Sequence, residues 1–259
     1  MIPPRILCYT IALDRSSITH YRQQAHMLVS SLLRTGFTGD IKIIHNGQYK
    51  IFAHPRRGVE EIGVDLPEDP HGCYKAKFQA RNLLDVTGYD WVLFLDCDTI
   101  VTGPLDDWFN EPEVVKYATE PVFPIQANQF NAYLTDKEMQ ELPRNGINSG
   151  TFLVKAEYYH DVMEEWERID HLPTLRQKSC CDQPAWNRLL LDSKLPNSRF
   201  TQPEVTMYYE RPELLALIQT PLVHFCGLTA SQKTIMMRAV FLARFYSGDN
   251  GSMMEMLER

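Results

Sequence analysis

Two aspartates separated by one residue follow the most apolar run of the chain. Asp96 and Asp98 come directly after Trp91–Leu95, whose sequence is WVLFL. In an extended chain alternate side chains share a face, so the two carboxylates point one way and Cys97 points the other. Like charges held that close repel each other unless a cation lies between them. The pattern therefore predicts a site for a hard divalent cation such as Mn²⁺ or Mg²⁺, although an acidic turn or a helix cap can have the same spacing.

A histidine far along the chain could complete this site. His224 stands in the segment LVHFCG, at the end of a short apolar run that is followed by glycine. A neutral imidazole is a common metal ligand. A single histidine in an apolar run is more often a hydrogen-bonded core residue. His224 is therefore a ligand candidate only together with the acidic pair.

The elements around these residues indicate how they are positioned. The predicted strands are Arg5–Ala12, Ile41–Ile44, Trp91–Leu95, Val114–Thr119, Thr151–Lys155 and Pro221–Phe225. The predicted helices are Ile18–Arg34, Lys75–Leu84, Tyr158–Ile169, Gln183–Leu191 and Ser231–Tyr246, and residues 58–72 are predicted to form a loop. This βαβ rhythm predicts an α/β fold with a mostly parallel central sheet and flanking helices. Ligands of such sheets bind beyond the carboxyl ends of the strands, where the acidic pair lies.

Composition and charge exclude several classes of protein. The chain has 259 residues, no linker-like segment, and a formal net charge of −7, which is the wrong sign for binding a nucleic-acid backbone. Six cysteines without a CxxC spacing indicate neither a disulfide scaffold nor a zinc site. No apolar run approaches the roughly 20 residues of a membrane span, and the N-terminus lacks a signal peptide's apolar core. We therefore expect a cytoplasmic, single-domain protein without a nucleic-acid partner or a transmembrane segment, unless the chain is a catalytic domain cut from an anchored parent.

Four short blocks carry a more specific signal. They are FLDCDT at 94–99, INSGTF at 147–152, DQPAWN at 182–187 and HFCG at 224–227. In this order they resemble the motifs of the GT-A glycosyltransferases, most closely glycosyltransferase family 8, the glycogenin-like and galactosyltransferase-like enzymes. The resemblance implies one GT-A domain over residues 1–259. Its nucleotide-binding half would cover about residues 1–110, and its donor-sugar and acceptor half about residues 111–259.

The resemblance also implies an activity and a metal site. The reaction would move a sugar from a nucleotide-diphosphate donor, foremost a UDP-sugar, to an unknown glycan, protein or small-molecule acceptor with retention of configuration. Asp96, Asp98 and His224 stand at the positions that bind Mn²⁺ (or Mg²⁺) in the family. The cation would bridge the two phosphates, which explains how an acidic protein could hold a polyanion.

Residues of the first half would contact the nucleotide if the resemblance holds. Tyr9 and Thr10, near the end of the first predicted strand, would flank the nucleobase, with Tyr9 stacking on it. Lys77 and Arg81, one helical turn apart, would face the ribose and the sugar, although a solvated helix face would look the same. The identity of the base stays open, because Leu13-Asp14-Arg15 replaces the family's usual Asn-Asp pair.

Residues of the second half would contact the sugar. Asn148 would hydrogen-bond its hydroxyls together with Asp182 and Gln183, which are the catalytic candidates. Asp182 could instead be only the N-cap of the helix that follows it. Cys97 and Gly227, which lie inside two of the four blocks, would also line the donor site.

One departure from the family concerns the diphosphate. The family usually has Lys-Pro-Trp shortly after the late His-x-x-Gly, whereas Leu228-Thr229-Ala230 follows it here. The nearest cation is Lys233, at the start of the last predicted helix, whose N-terminus also favours phosphate. We therefore expect Lys233 to contact the diphosphate.

Two other functions fit part of the pattern. A haloacid-dehalogenase-like phosphatase also begins with an apolar strand and Asp-x-Asp-x-Thr, with Asp96 as nucleophile beside Mg²⁺. It requires a late strand ending in paired acids, which the sequence lacks. A non-catalytic sugar-nucleotide-binding module is the other alternative, although it would not need the metal carboxylates.

The last predicted helix, with Arg238 and Arg244, could rest on a membrane surface or dock on the core.

Overall fold

A computed structural model of the chain describes residues 3–14, 20–47, 50–65, 70–110, 112–142, 145–180, 182–200, 204–210 and 213–246. The strands are β1 Ile6–Ala12, β2 Asp40–His45, β3 Val59–Gly63, β4 Trp91–Leu95, β5 Thr99–Val101, β6 Val115–Pro124, β7 Asn145–Lys155, β8 Asn197–Arg199, β9 Val205–Met207 and β10 Leu222–His224. The helices are α1 His20–Arg34, α2 Pro70–Gln79, α3 Asp136–Glu141, α4 Ala156–Asp170, α5 Gln183–Asp192, α6 Leu214–Leu217 and α7 Ala230–Tyr246.

Strands from both halves of the chain form one central sheet. Its order is β3-β2-β1-β4-β7-β6-β8. Strands β3, β2, β1 and β4 run parallel to one another, β7 is antiparallel to both β4 and β6, and β8 is parallel to β6. The predicted α/β fold with a mostly parallel central sheet is therefore confirmed.

Strand β4 is covered on both faces, which explains its continuous apolar sequence. Val92 and Phe94 belong to the core beneath α4 and α5, which includes Trp166 and Trp186. Leu93 and the other odd-numbered residues of β4 belong to the core beneath α1. All five residues of β4 are buried, so the position of the strand and of the acids that follow it is fixed.

A second sheet of three short strands lies beside the end of β4. Its order is β5-β10-β9, with β10 antiparallel to β5 and parallel to β9. Strand β5 follows β4 after one tight turn, and His224 of β10 stands opposite Thr99 of β5. The amide of Phe225 donates to the Asp98 carbonyl at 2.9 Å. The second sheet thereby brings a late segment of the chain to the acidic pair.

Helix α7 packs beside α1 and docks on the core. The buried Gln24 of α1 donates from Nε2 to the Ala230 carbonyl at 2.9 Å and to Thr234 Oγ1 at 3.1 Å. Met237 and Val240 of α7 are fully buried. Among the helices of the described ranges, none combines the length and the apolarity that a bilayer crossing requires.

The expected loop over residues 58–72 is wrong. Val59–Gly63 forms β3, which pairs in parallel with β2, and α2 begins at Pro70. Strand β3 is a short edge strand with two adjacent glutamates, and Glu60 pairs with Lys42 of β2 at 3.2 Å. Such an edge strand lacks the apolar run on which the prediction relied. Positions 18 and 19 of the first predicted helix lie outside the described residues.

Candidate active site

The acidic pair stands at the carboxyl end of β4. Asp96 continues the sheet for one residue, because its amide donates to the Gly150 carbonyl of β7 at 2.7 Å. The chain then turns, and both carboxylates lie on the same side of it. The Cys97 side chain lies on the other side, with Sγ 3.7 Å from Gln24 Oε1. The cysteine is therefore separated from the acids, as expected, although by a turn rather than by an extended chain, and the expectation that Cys97 lines the donor site is wrong.

His224 meets the two aspartates. One ligand atom from each of Asp96, Asp98 and His224 lies within 4.8 Å of the other two. His224 Nε2 is 3.2 Å from Asp98 Oδ1 and 3.8 Å from Asp96 Oδ2. Its side chain is only 2% exposed, and neither ring nitrogen has an aligned hydrogen bond to a described residue. Two carboxylates and an imidazole are a donor set that fits Mn²⁺ or Mg²⁺.

The pKa values of the cluster are displaced by burial and by neighbouring charges. Burial raises the pKa of Asp96, and the neighbouring Asp98 carboxylate does the same. Burial would also raise the pKa of Asp98, but Lys233 and His224 hold it well below its usual value. Burial would lower the pKa of His224, but Asp98 raises it above the usual value. The Asp98 carboxylate is therefore the firmly ionised centre of the cluster.

A buried lysine from α2 links Asp96 to a second acid. Lys77 Nζ lies 3.2 Å from Asp96 Oδ1 and 2.8 Å from Asp182 Oδ2, with its side chain only 10% exposed. It also donates to the carbonyl and hydroxyl oxygens of Ser149, both at 3.3 Å. Burial would lower the pKa of Lys77, but Asp182 and Asp96 raise it above its usual value. Lys77 is therefore held as a cation in the middle of the site.

A second lysine reaches the cluster from α7. After β10 the chain turns at Gly227, whose φ of 78° lies in the left-handed region that glycine adopts without strain. Helix α7 then begins at Ala230 and places Lys233 Nζ 2.5 Å from Asp98 Oδ2. The two aspartates thus each contact a lysine as well as His224.

Asp182 and Gln183 stand at the start of α5. The Asp182 carboxylate does not cap this helix. It accepts a hydrogen bond from the Ser149 hydroxyl at 2.6 Å and pairs with Lys77, so the interpretation of Asp182 as an N-cap is wrong. Asn187 fastens α5 to β7, because its side chain exchanges two hydrogen bonds with the main chain of Ile147, at 2.8 and 2.7 Å.

The fold matches two solved structures of LgtC. An active-site mutant of LgtC has a TM-score of 0.61 at 14% identity, covering 90% of this chain and 95% of the LgtC chain. The galactosyltransferase LgtC in complex with donor and acceptor sugar analogues has a TM-score of 0.58 at 12% identity, with the same coverage. The chain has the GT-A fold. Its sequence matches no family model and no curated protein.

Three residues of this GT-A site did not emerge as candidates from the sequence. The buried Glu120 of β6 accepts a hydrogen bond from Asn148 Nδ2 at 2.7 Å. The sequence feature that could have identified it is an acidic residue within an apolar strand. Ser149 contacts both Lys77 and Asp182. A side chain at Gly150 would place Cβ 2.4 Å from Asp96 Oδ2. A glycine inside a strand often marks such a close approach.

The expected stacking of Tyr9 on a nucleobase is wrong in this GT-A domain. Tyr9 is 0% exposed and packs against Phe94, with ring centroids 4.9 Å apart. Thr10 is buried on the opposite face, and its hydroxyl has no hydrogen bond to a described residue. Strand β1 is a central strand covered on both faces, so neither side chain lies at an open surface. Arg15 lies outside the described residues.

Arg81 does not join Lys77 at the site. Its guanidinium pairs with Glu167 of α4, with Nη2 2.6 Å from Oε2. Helix α2 ends at Gln79 and continues as a single 3₁₀ turn. The tighter turn has about 3.0 residues, so positions four apart no longer share the face that the prediction assumed.

Proposed function

We propose that this chain is a glycosyltransferase that moves a sugar from a nucleotide-diphosphate donor to an acceptor in a metal-dependent reaction. The convergence of Asp96, Asp98 and His224 at the end of β4 carries the proposal. LgtC, whose fold this chain shares, is a galactosyltransferase that has been seen with donor and acceptor sugar analogues. The resemblance of the four sequence blocks favours a UDP-sugar, Mn²⁺ and retention of configuration.

The cations of the site suit a diphosphate leaving group. Mn²⁺ or Mg²⁺ held by Asp96, Asp98 and His224 would neutralise the diphosphate and improve it as a leaving group. Lys233, whose pKa is raised chiefly by Asp98 against the opposing effect of burial, would supply a second positive charge at the same place. Fixed charges of this kind stabilise negative charge that develops during a reaction.

The other polar groups suit the donor sugar. Asp182 stands at the start of α5 in an orientation fixed by Ser149 and Lys77, and the partly buried Gln183 follows it. Asn148 is held by Glu120 and by the Gly150 amide. These fixed polar groups would bind and orient the sugar hydroxyls, while a glycan, a protein or a small molecule serves as acceptor.

The two alternatives fit the structure less well. A phosphatase nucleophile must be free to attack the phosphorus, whereas Lys77 Nζ lies 3.2 Å from Asp96 Oδ1 and pairs with that carboxylate. The GT-A fold also differs from the fold that a haloacid-dehalogenase-like phosphatase needs. A non-catalytic module would bind the donor in the same place, so the test must separate binding from turnover.

The test is a panel of UDP- and GDP-sugars with and without Mn²⁺. We expect one donor to raise the melting temperature only with Mn²⁺ and to release free nucleoside diphosphate, with Asp98→Asn abolishing the release. Stabilisation without release would identify a binding module. Hydrolysis of p-nitrophenyl phosphate that Asp96→Asn abolishes would identify a phosphatase. Neither stabilisation nor release with any donor would contradict the proposal.

A further inference from the structure

A cavity lies on the outer side of α1, apart from the acidic cluster. It has a volume of about 980 Å³ and is bounded by α1, by α7 and by the segment 50–56. Helix α1 turns Ala25 and Leu28 toward the sheet. The neighbouring residues His26 and Ser30 line the cavity. A concave space of this size is typical of sites for small molecules, which occupy about 300–1,000 Å³.

The charge of this cavity is opposite to that of the whole protein. Every charged side chain that lines it is basic: Arg22, Arg34, Lys50, Arg56 and Arg238. The chain as a whole has a net charge of −7. A concave surface lined by one sign of charge concentrates the electric field and attracts counter-ions. The expected ligand is therefore an anion.

Three of these cations are available to a ligand. Lys50, Arg56 and Arg238 are exposed, and none of them has an ion pair with a residue in the described ranges. The other two are engaged at the rim. Arg22 Nε lies 4.0 Å from Asp14 Oδ2, and the Arg34 guanidinium stacks on the Tyr246 ring at 4.5 Å. Positive charge without a protein counter-charge thus lies on both the 50–56 segment and α7.

The remaining lining combines apolar side chains with neutral polar ones, and its aromatic part is held in place. Phe52 is buried and stacks on His26, with ring centroids 4.6 Å apart. Burial and Arg56 lower the pKa of His26, so the ring is a neutral partner rather than a further cation. The Glu61 carboxylate accepts hydrogen bonds from the amides of Ile51 at 2.6 Å and Phe52 at 3.0 Å. The segment that carries these residues is thereby fixed in place.

We propose that this cavity binds a small organophosphate with an apolar portion. The phosphate would lie between Arg56, Lys50 and Arg238, because the planar guanidinium fork matches phosphate oxygens in two parallel hydrogen bonds. A hydrocarbon chain or ring would pack against Phe52 and Phe241. The site lies outside the acidic cluster, so the inference does not depend on the proposed glycosyltransferase activity.

The probe for this site is octyl phosphate, used as a monomer with the full-length chain in titration calorimetry. We expect binding to the unmodified protein that Arg56→Glu and Arg238→Glu each weaken at least tenfold. Arg57→Glu is the matched control, because Arg57 is exposed in the same segment but does not line the cavity. Octyl glucoside and inorganic phosphate, which each lack one half of the probe, should bind at least tenfold more weakly.

Several outcomes would overturn the inference. Unchanged affinity in both substituted proteins with normal melting temperatures would place the ligand elsewhere. If octyl glucoside bound as tightly as octyl phosphate, the basic side chains would have no role in binding. Sedimentation with phosphatidylglycerol vesicles but no binding of monomeric octyl phosphate would assign the surface to a membrane. Asp98→Asn should keep its affinity for octyl phosphate, so failure of this inference is separable from failure of the proposed function.

Discussion

At the scale of single residues, the ammonium group of Lys77 offsets the repulsion between the buried Asp182 carboxylate and the partly exposed Asp96 carboxylate. It stands between Asp96 and Asp182, so Lys77→Met would leave two acids facing each other. Breaking a buried ion pair costs about 3–5 kcal/mol, and the partial exposure of Asp96 favours the lower value. We expect the melting temperature of Lys77→Met to fall by roughly 6–12 °C, measured by calorimetry.

The control for this prediction is on the same helix. Lys75→Met removes the same charge from a position without an ion pair to a described residue, and it should change the melting temperature by no more than about 2 °C. Mn²⁺ should reduce the loss in Lys77→Met, because it would neutralise Asp96. Equal changes in melting temperature for the two substitutions would show that the buried ion pairs of Lys77 do not stabilise the protein.

The thiol beside the two acids should be dispensable for turnover. Cys97 Sγ faces Gln24 rather than the carboxylates, and burial followed by the charges of Asp98 and Asp96 raises its pKa. It is therefore a thiol rather than a reactive thiolate. We expect Cys97→Ser to keep kcat within about threefold and the native thiol to resist iodoacetamide, followed by mass spectrometry. A large fall in kcat with an unchanged melting temperature would contradict this geometry.

At the scale of elements, the sequence predicted the strands that are buried on both faces and missed those at the edge. The run before Asp96 identified β4, because a strand without an exposed face has no polar residues to interrupt it. Strand β1 is also buried on both faces, so its sequence does not show which face would be accessible to a ligand. The contacts of Tyr9 could therefore not be predicted. The prediction that Arg81 lies at the site was wrong for a different reason, because the helix changes from α to 3₁₀ geometry after Gln79.

Strand β7 contributes a close backbone approach to the acidic cluster at Gly150. A methyl group at Gly150 would approach Asp96 Oδ2 and His224 Cε1 to 2.4 Å each. We expect Gly150→Ala to displace these side chains and to weaken Mn²⁺ binding at least tenfold, measured by calorimetry. Gly63→Ala, in edge strand β3 with no atom within 4 Å of the new methyl group, is the matched control. Equal Mn²⁺ affinity in both variants would contradict the close approach.

At the scale of the whole molecule, the candidate site lies at the junction of two sheets. Asp96 follows β4 of the large sheet, whereas His224 ends β10 of the small one. Helix α7, which packs on the small sheet, adds Lys233. These parts are brought together by the register of β10 on β5 and by the hydrogen bond from the Phe225 amide to the Asp98 carbonyl. The two bonded residues are more than 120 positions apart in the chain. Such long-range contacts follow from topology rather than from local sequence.

A cation shared by both sheets should stabilise the junction more than the periphery. At 100 times its dissociation constant, bound Mn²⁺ adds about 2.7 kcal/mol, which corresponds to a rise in melting temperature of roughly 5–10 °C. Hydrogen exchange of the amides in β5 and β10 should slow by up to about 100-fold, while that of β3 stays unchanged. Asp98→Asn should abolish both effects, whereas Asp107→Asn, an exposed acid after β5, should keep them. Slower exchange that is uniform across β3 and β10, or that persists in Asp98→Asn, would mean that Mn²⁺ binds elsewhere.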